Sequence, residues 1–325
     1  MAWSTFAIDR IPEESGFSGF ISAGIAVNHV TSSLIAGASL GDVSTDRIDS
    51  VFKSPQGKTA VMPAVNGGLA YTFAATRSQV YFGTSLEDFI RYDFTTALGI
   101  RQEVGELGII EASALSNIAI PAQVYQDPYQ VGGSRKETER QSRGARLAWY
   151  RMMGSGFDLQ VSARKMNVDN EQSGSDPALN LTLGQQQLLE RGGDEYKVRV
   201  QYQFRFNKKH TIKPTLSFTK LDLDGGAMKR DRVGVQLSYL YNGARWFFTT
   251  GVGVGSIVYD EENPIYKKKA DSMLFNGSIS LAYKNLFNIE NLSLLGSLGY
   301  YEQDSEINFY DASIQSGSLR TVYSF

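Results

Sequence analysis

The run Gly251–Ser256 has the spacing in this chain that most resembles a chemical motif, because three glycines alternate in it with two valines. Glycine-rich loops bind phosphate groups when they follow a strand and open a helix. Here the alternation is that of a strand, and no helical periodicity follows it. The run therefore predicts a strand whose inner face is thin, not a nucleotide site.

Two histidines, His29 and His210, are the candidates for general acid–base chemistry. A hydrolase at a barrel rim would pair such a histidine with a nucleophile or with carboxylates. Neither histidine has a serine or aspartate at an informative spacing. The acidic run at 260–262 lacks the spacing of a calcium loop. The sequence thus predicts no enzyme, no cofactor and no metal site, with a hydrolase using His29 kept as an alternative.

The composition limits the classes of protein that this chain can form. Of its 325 residues, 42% are hydrophobic and 20% are charged, none is a cysteine, and the formal net charge is -2. Disulfide scaffolds and thiolate metal sites are excluded, and no nucleic-acid partner is indicated. No apolar run approaches the length of a transmembrane helix. A transmembrane barrel needs no such run, since only alternate residues of each strand face lipid.

The chemistry of the chain must therefore be positioned by strands, and the clearest strand pattern lies between Tyr196 and Phe206. Its apolar set is Tyr196, Val198, Val200, Tyr202, Phe204 and Phe206. Its polar set is Lys197, Arg199, Gln201, Gln203 and Arg205. Residues of a strand alternate between its two faces, so one face is apolar and the other is charged.

Similar alternating segments recur along the chain from Phe17, and the connections between them are alternately short and long. This pattern predicts an all-β fold: a transmembrane antiparallel up-and-down β-barrel with long extracellular loops and short periplasmic turns. We expect about fourteen strands, although 12 or 16 would also fit because the region 78–115 is the least regular. The expected location is the outer membrane of a Gram-negative bacterium. Residues 17–325 form the predicted barrel, and residues 1–16 form a separate N-terminal segment.

The residues on the polar parity predict a basic lumen. The expected lumen-lining residues are Arg146, Arg164, Lys197, Arg199, Arg205, Arg232 and Arg320, with Asp158 as the main inward acid. Charges in this position must be solvated or paired, which favours a water-filled lumen. Guanidinium groups suit solutes that carry many hydroxyls or carboxylates. The alternative is that this polarity selects no particular solute.

The final strand, Leu319–Phe325, resembles the carboxyl-terminal signal of outer-membrane barrels. Over its whole length, including the extra N-terminal segment, the chain resembles the monomeric porins of about fourteen strands, and among them the cyclodextrin-specific porins of enteric bacteria. This resemblance implies passive diffusion of bulky oligosaccharides such as cyclodextrins. It also implies that residues 1–16 restrict the pore from the periplasmic side. The expected restriction residues are Trp3, Phe6, Ile8 and Arg10.

The same interpretation gives the expected partners. These are the lipid bilayer and lipopolysaccharide around the barrel, oligosaccharide solutes within it, and the barrel assembly machinery at the C-terminal strand. A monomer is expected, because the outward parity shows no patch unsuited to lipid. Three alternatives stay open: a porin for acidic oligosaccharides that uses the basic wall, an outer-membrane hydrolase, and an adhesin that uses the long loops.

Overall fold

The alternating segments form one continuous wall of antiparallel strands. The structure is a computed structural model of the protein, which describes residues 10–38, 41–88 and 93–325. The wall strands are β1 (Gly16–Thr31), β2 (Gly57–Pro63 with Asn66–Phe73), β3 (Ser78–Asp88), β4 (Asp93–Glu103), β5 (Ile109–Ser116), β6 (Glu137–Tyr150), β7 (Phe157–Val168), β8 (Gly193–Tyr202 with Phe204–Arg205), β9 (His210–Leu223), β10 (Arg230–Asn242), β11 (Trp246–Tyr259), β12 (Ser272–Lys284), β13 (Leu292–Ser305) and β14 (Ala312–Ser324). The predicted count of fourteen strands is confirmed.

The first and last strands pair and close the wall into a barrel. Their antiparallel register runs from Phe20 opposite Ser324 to Thr31 opposite Ser313. The terminal residue extends this ladder: the amide of Gly19 donates to the carbonyl of Phe325 at 2.8 Å, and the Phe325 amide donates back at 3.0 Å. Closure satisfies the backbone groups that an open sheet edge would expose, which is a requirement inside a bilayer.

An apolar belt covers the outside of the barrel. Val61 is 70% exposed and Leu298 is 63% exposed, and similar outward side chains recur on the other strands. A continuous apolar belt of this kind is stable in lipid rather than in water. With the closed antiparallel barrel, it places the protein in the outer membrane of a Gram-negative bacterium, as predicted.

The two ends of the barrel differ in the length of their connections. The short turns are at 74–77, 104–108, 151–156, 206–209, 243–245 and 285–291. Aromatic pairs gather beside these turns, with ring centroids 4.6 Å apart for Phe157 and Tyr202 and 4.9 Å apart for Trp246 and Tyr283. Such amphipathic rings favour the membrane interface, so this is the periplasmic end.

The long connections at the other end contain short regular elements of their own. These are the short strands Ile35–Ala38, Gly41–Asp42 and Ala122–Tyr125, the helix α1 (Leu183–Gln187), and the 3₁₀ turns Pro177–Leu179, Gly226–Met228 and Asn308–Tyr310. Four further 3₁₀ turns lie at the periplasmic end: Ala74–Thr76, Gly105–Leu107, Met152–Gly154 and Leu286–Asn288. Among the described residues, no helix has both the length and the apolarity to cross a membrane.

Candidate functional site

The candidate site is an internal cavity of about 550 Å³ in the lumen. It is lined by residues of most of the strands, chiefly of the inward parity, so it is the lumen itself and not a cleft in the wall. A volume of this size is typical of small-molecule sites. Its charged lining residues are Arg164, Lys197, Arg199, Arg232, Arg320 and Glu195. Five basic groups against one acid make the described part of this cavity attractive to anions.

Strands β7 and β8 carry the side of the cavity on which most of the charge lies. Arg164 of β7 donates from Nη2 to Oε1 of Glu195 on β8 at 2.9 Å, and from Nη1 to the hydroxyl of Thr95 at 3.0 Å. All three side chains are buried. Gly144, on the neighbouring strand β6, makes room for the arginine, because a Cβ atom there would lie 2.8 Å from Cγ of Arg164.

The wall formed by β11 to β14 is lined by small residues. The glycine run of β11 is inward and thin, as predicted, and the amide nitrogen of Asn276 lies 2.7 Å from the position that a Cβ atom of Gly253 would occupy. The serines that line the cavity on β12, β13 and β14 are Ser278, Ser280, Ser297, Ser316 and Ser318. The cavity thus has a basic side and a hydroxyl-rich side.

Nearer the periplasmic end, a buried ion cluster crosses from β4 to β6. Glu111 of β5 is 0% exposed and accepts from Nε of Arg101 at 2.8 Å and from Nε of Arg146 at 3.2 Å. The hydroxyl of Tyr150 lies 3.4 Å from the same carboxylate. Arg146 therefore belongs to this cluster and is not among the lining residues of the main cavity. Besides the predicted inward acid Asp158, two further buried carboxylates, those of Glu111 and Glu195, face inward.

The N-terminal segment contacts the inner wall beside this cluster. Ile11 is only 2% exposed and packs in one apolar cluster with Ile109, Ala148 and Tyr150, all of which face inward. Further along, Arg77 at a periplasmic turn donates to the carbonyl of residue 12 at 2.9 Å. Residues 11 and 12 are thus held at the inner periplasmic rim.

The other predicted site residues lie near this end or outside the described residues. Asp158 is buried and accepts from the backbone amide of Arg151 at 2.9 Å and from the amide of Gln203 at 2.8 Å, so it holds the turn between β6 and β7. Arg205 is exposed near the end of β8, and Arg10 is also exposed. The predicted restriction residues Trp3, Phe6 and Ile8 lie outside the described residues.

The long loops cover the extracellular end and form what we call the lid, made of residues 32–38, 41–56, 117–136, 169–192, 224–229, 260–271 and 306–311. One apolar core joins lid residues such as Val51, Leu189 and Phe309 to inward residues of eight strands, β1, β2, β7, β9, β11, β12, β13 and β14. A single core that touches so much of the circumference must lie across the mouth. The described lid residues therefore cover much of the outer end of the lumen with packed side chains.

The centre of the lid is a hydrogen-bonded group of buried side chains, which we call the tyrosine lock: Tyr129, Tyr310, Asn263 and Met228. The hydroxyls of Tyr129 and Tyr310 lie 2.5 Å apart. Asn263 donates to the Tyr310 hydroxyl at 2.9 Å, and the sulfur of Met228 lies 3.6 Å from it. Because these four residues come from four different loops, the lock ties the loops to one another.

A buried arginine provides a second tie. Arg135 donates to the carbonyl of Ser33 at 2.9 Å and to the hydroxyl of Thr45 at 2.9 Å, and its guanidinium lies 3.6 Å from the ring centroid of Tyr125. The loop at 117–136 is thereby fixed to the loop at 32–56. Burial lowers the pKa of Arg135 from its ordinary value, which nevertheless leaves it a hydrogen-bonded cation.

Burial also controls the ionisation of the tyrosine lock. Complete burial raises the pKa of Tyr129 and the pKa of Tyr310 above the ordinary value. Burial raises the pKa of the neighbouring Tyr266 in the same way. The closed lid thus requires neutral phenols, since a phenolate in this apolar core would lose its hydration.

The residues that first suggested catalysis lie outside the lumen. His29 is on the outward parity of β1, and its Nδ1 lies 2.9 Å from the hydroxyl of Thr59. His210 is in the aromatic girdle, with Nδ1 2.7 Å from the hydroxyl of Tyr239. Across the described residues, no three His, Cys, Asp or Glu side chains are grouped so that they could hold a metal ion.

Two features of the site were missed by sequence reasoning. The tyrosine lock joins residues 181 positions apart in non-periodic loops, so no local pattern indicates it. Glu111, in contrast, shares its parity with the inward residues Ile109 and Ser113. The alternation in β5 could have identified this acid as inward.

Fold and site together define a lidded outer-membrane β-barrel with a basic lumen. Residues 16–323 match a family described as a protein of unknown function, DUF2860. The chain belongs to this family. No curated protein matches the sequence.

Several solved structures have a similar barrel. The chain is similar to the COG4313 outer membrane channel from Pseudomonas putida F1, with 10% identity, complete coverage of both chains and a TM-score of 0.46. It is also similar to the outer membrane channel DcaP of Acinetobacter baumannii, with 10% identity, coverage of 96% of this chain and 97% of that one, and a TM-score of 0.45. A Pseudomonas aeruginosa FadL homologue has 11% identity, coverage of 98% and 90%, and a TM-score of 0.44. Likenesses this distant concern the barrel alone.

Proposed function

We propose that this protein is a gated outer-membrane channel for anionic, hydroxyl-rich solutes, with acidic oligosaccharides as the substrate class. The observation that carries the proposal is the charge of the cavity, which five basic side chains and one acid line among the described residues. Guanidinium groups bind carboxylates in a planar, two-point geometry. The serines of the opposite wall offer donors and acceptors for sugar hydroxyls.

The lid gives the channel its gated character. Its apolar core and tyrosine lock lie between the external solution and the cavity. A solute enters when the loops part, and the channel conducts during that interval.

Passage of uncharged cyclodextrins, which the resemblance to the cyclodextrin-specific porins implies, stays a prediction. A rigid, bulky ring fits less readily into the cavity of about 550 Å³ than a flexible acidic oligomer does. The basic groups of the wall also give no preference for an uncharged ring. Both considerations favour the acidic solute.

The two substrate classes are separated by swelling of proteoliposomes that contain the protein. We expect trigalacturonate to enter faster than uncharged maltotriose, and both faster than α-cyclodextrin. Changing Lys197 and Arg199 together to glutamine should reduce the preference for the acidic sugar. The control is Arg245→Gln, which removes a cation at a periplasmic turn where Arg245 donates to the hydroxyl of Tyr283 at 2.7 Å. Entry of maltotriose at the rate of trigalacturonate or faster would overturn the proposal.

The N-terminal segment acts in this proposal as a restriction at the periplasmic end. Support comes from buried Ile11 and from the bond between Arg77 and the carbonyl of residue 12. Deletion of residues 2–15 should raise the single-channel conductance, and Ile11→Asn should raise it in part. Leu107→Asn, at an exposed apolar residue of the same end, serves as the control. Unchanged conductance after the deletion would remove the segment from the mechanism.

The surroundings follow from the same proposal. Lipid and lipopolysaccharide contact the apolar belt, and the barrel works as a monomer. The C-terminal strand β14, which ends at Phe325, is the segment that the barrel assembly machinery binds.

A further inference from the structure

Arg320 is exceptional among the inward residues of its part of the wall. Strands β11, β12, β13, β14 and β1 point small, apolar or uncharged residues into the barrel, apart from Lys284 at the final position of β12. The Lys284 ammonium donates to the carbonyl of Gly243 in a periplasmic turn, so it serves that turn. Arg320 is thus the single cation of this wall that lines the cavity.

The chain makes room for Arg320 at one specific position. Gly24 on β1 pairs with Arg320, and a Cβ atom at Gly24 would lie 2.9 Å from Cγ of the arginine. The stem of Arg320 therefore lies across a glycine, as the stem of Arg164 lies across Gly144. The two arginines therefore pack in the same way, each over a glycine of the neighbouring strand.

The two arginines differ in the hydrogen-bond partners of their guanidinium groups. Arg164 is bonded to Glu195 and Thr95. Arg320, by contrast, makes no hydrogen bond or ion pair with any described residue, and its Nε atom is buried without a partner. A cation that is partly removed from water without a partner costs free energy, and such a group binds an incoming anion more strongly than a hydrated one does. No contact within the fold requires a positive charge at Arg320.

The neighbours of Arg320 indicate the kind of anion. Ser318 lies two residues earlier on the same face of β14, and Ser297 is inward on β13, directly opposite Ser318. Both serines line the cavity with Arg320. A guanidinium flanked by hydroxyls suits a carboxylate whose carbon skeleton carries hydroxyl groups.

We propose that Arg320 is the anchor of a carboxylate-binding site in the hydroxyl-rich wall, with a polyhydroxylated acid such as a sugar acid as its ligand. This inference rests on the proposed function and names the place where the solute binds. The carboxylate accepts two hydrogen bonds from the guanidinium, and Ser297 and Ser318 bind hydroxyl groups of the same solute.

The test measures block of the single-channel current by D-galacturonate, with uncharged galactose as the matched solute. Arg320→Gln should weaken galacturonate block about ten- to a hundredfold, which is the usual range for loss of a hydrogen bond to a charged group. Arg320→Lys should restore part of the block, because it retains the charge but not the planar fork. Galactose should block the current equally weakly in all three proteins.

Thermal unfolding provides a second measurement, because the melting temperature would change if the role of Arg320 were structural. Arg320→Gln should not lower the melting temperature, since no hydrogen bond or ion pair is lost. Arg164→Gln breaks the buried pair with Glu195 and should lower it. The inference is wrong if galacturonate blocks Arg320→Gln as strongly as it blocks the wild type. It is also wrong if Arg320→Gln unfolds at as low a temperature as Arg164→Gln.

Failure of the inference can be told from failure of the proposed function. If the wild type prefers galacturonate and Arg320→Gln keeps that preference in full, the anchor lies elsewhere and the channel proposal stands. If the wild type responds to galacturonate and galactose alike, both proposals fall.

Discussion

Removal of the Tyr310 side chain should open the channel. The ring is buried in the lid core, and its hydroxyl contacts Tyr129, Asn263 and Met228. Truncation of a buried aromatic residue to alanine costs about 3–5 kcal/mol. Because the lost contacts exist only in the closed lid, Tyr310→Ala should raise the ratio of open to closed time by about two to nearly four orders of magnitude.

A conservative variant separates the contribution of the hydroxyl from that of the ring. Tyr310→Phe keeps the ring but leaves the Tyr129 hydroxyl and the Asn263 amide without their partner. A buried group in that state costs about 1–3 kcal/mol, so the open-to-closed ratio should rise by about one to two orders of magnitude. The matched control is Tyr300→Phe, which removes a hydroxyl that bonds to Glu302 on the outside of the barrel at 2.9 Å.

The assay is single-channel recording in a planar bilayer, with the heat-dependent shift in gel mobility as a check that each variant is a folded barrel. The expected order of open probability is Tyr310→Ala, then Tyr310→Phe, then the wild type together with Tyr300→Phe. A folded Tyr310→Ala barrel that gates like the wild type would refute the idea that the lid is held shut by this core.

Two further predictions concern ionisation. Burial raises the pKa of Tyr129 and of Tyr310, and an open lid returns both to the ordinary value of about 10. The closed lid should therefore be stable below pH 10 and lose stability above it, where only the open form ionises readily. Open probability recorded from pH 7 to pH 11 should be flat at first and then rise; a rise that is complete by pH 8 would contradict this. Glu111→Gln leaves two arginine partners without their carboxylate and should destabilise the barrel by about 3–5 kcal/mol, measured as a lower temperature of the gel-mobility shift, whereas Glu106→Gln at an exposed turn should leave it unchanged.

The barrel wall could be predicted from the sequence because its determinants are local. Each strand presents apolar residues to lipid and mainly polar residues to the lumen. An alternation with a period of two residues therefore indicates the fold directly. That period assigned Lys197 and Arg199 inward, and both line the cavity. It also identified the glycine run of β11 as a thin part of the wall.

The lid could not be predicted because its determinants are not local. Val51, Tyr129 and Tyr310 share one core although they come from three loops without periodicity. A porin with its loops standing outward would have the same wall pattern, so parity cannot distinguish an open mouth from a closed one. The ion pairs of the wall were hidden for another reason: Arg164 and Glu195 lie directly opposite each other on neighbouring strands, and parity does not give the register that pairs them. The register likewise places Arg320 opposite Gly24, where its Nε has no hydrogen-bond partner.

The attraction of the lumen for anions can be measured as the reversal potential under a tenfold gradient of potassium chloride. We predict that the current of the wild type, and the larger current of Tyr310→Ala, reverses on the chloride side of zero, towards the limit of about 59 mV for a monovalent ion. The double variant with Lys197 and Arg199 changed to glutamine should reverse closer to zero. Reversal at zero or on the potassium side in the wild type would show that the lumen does not attract anions.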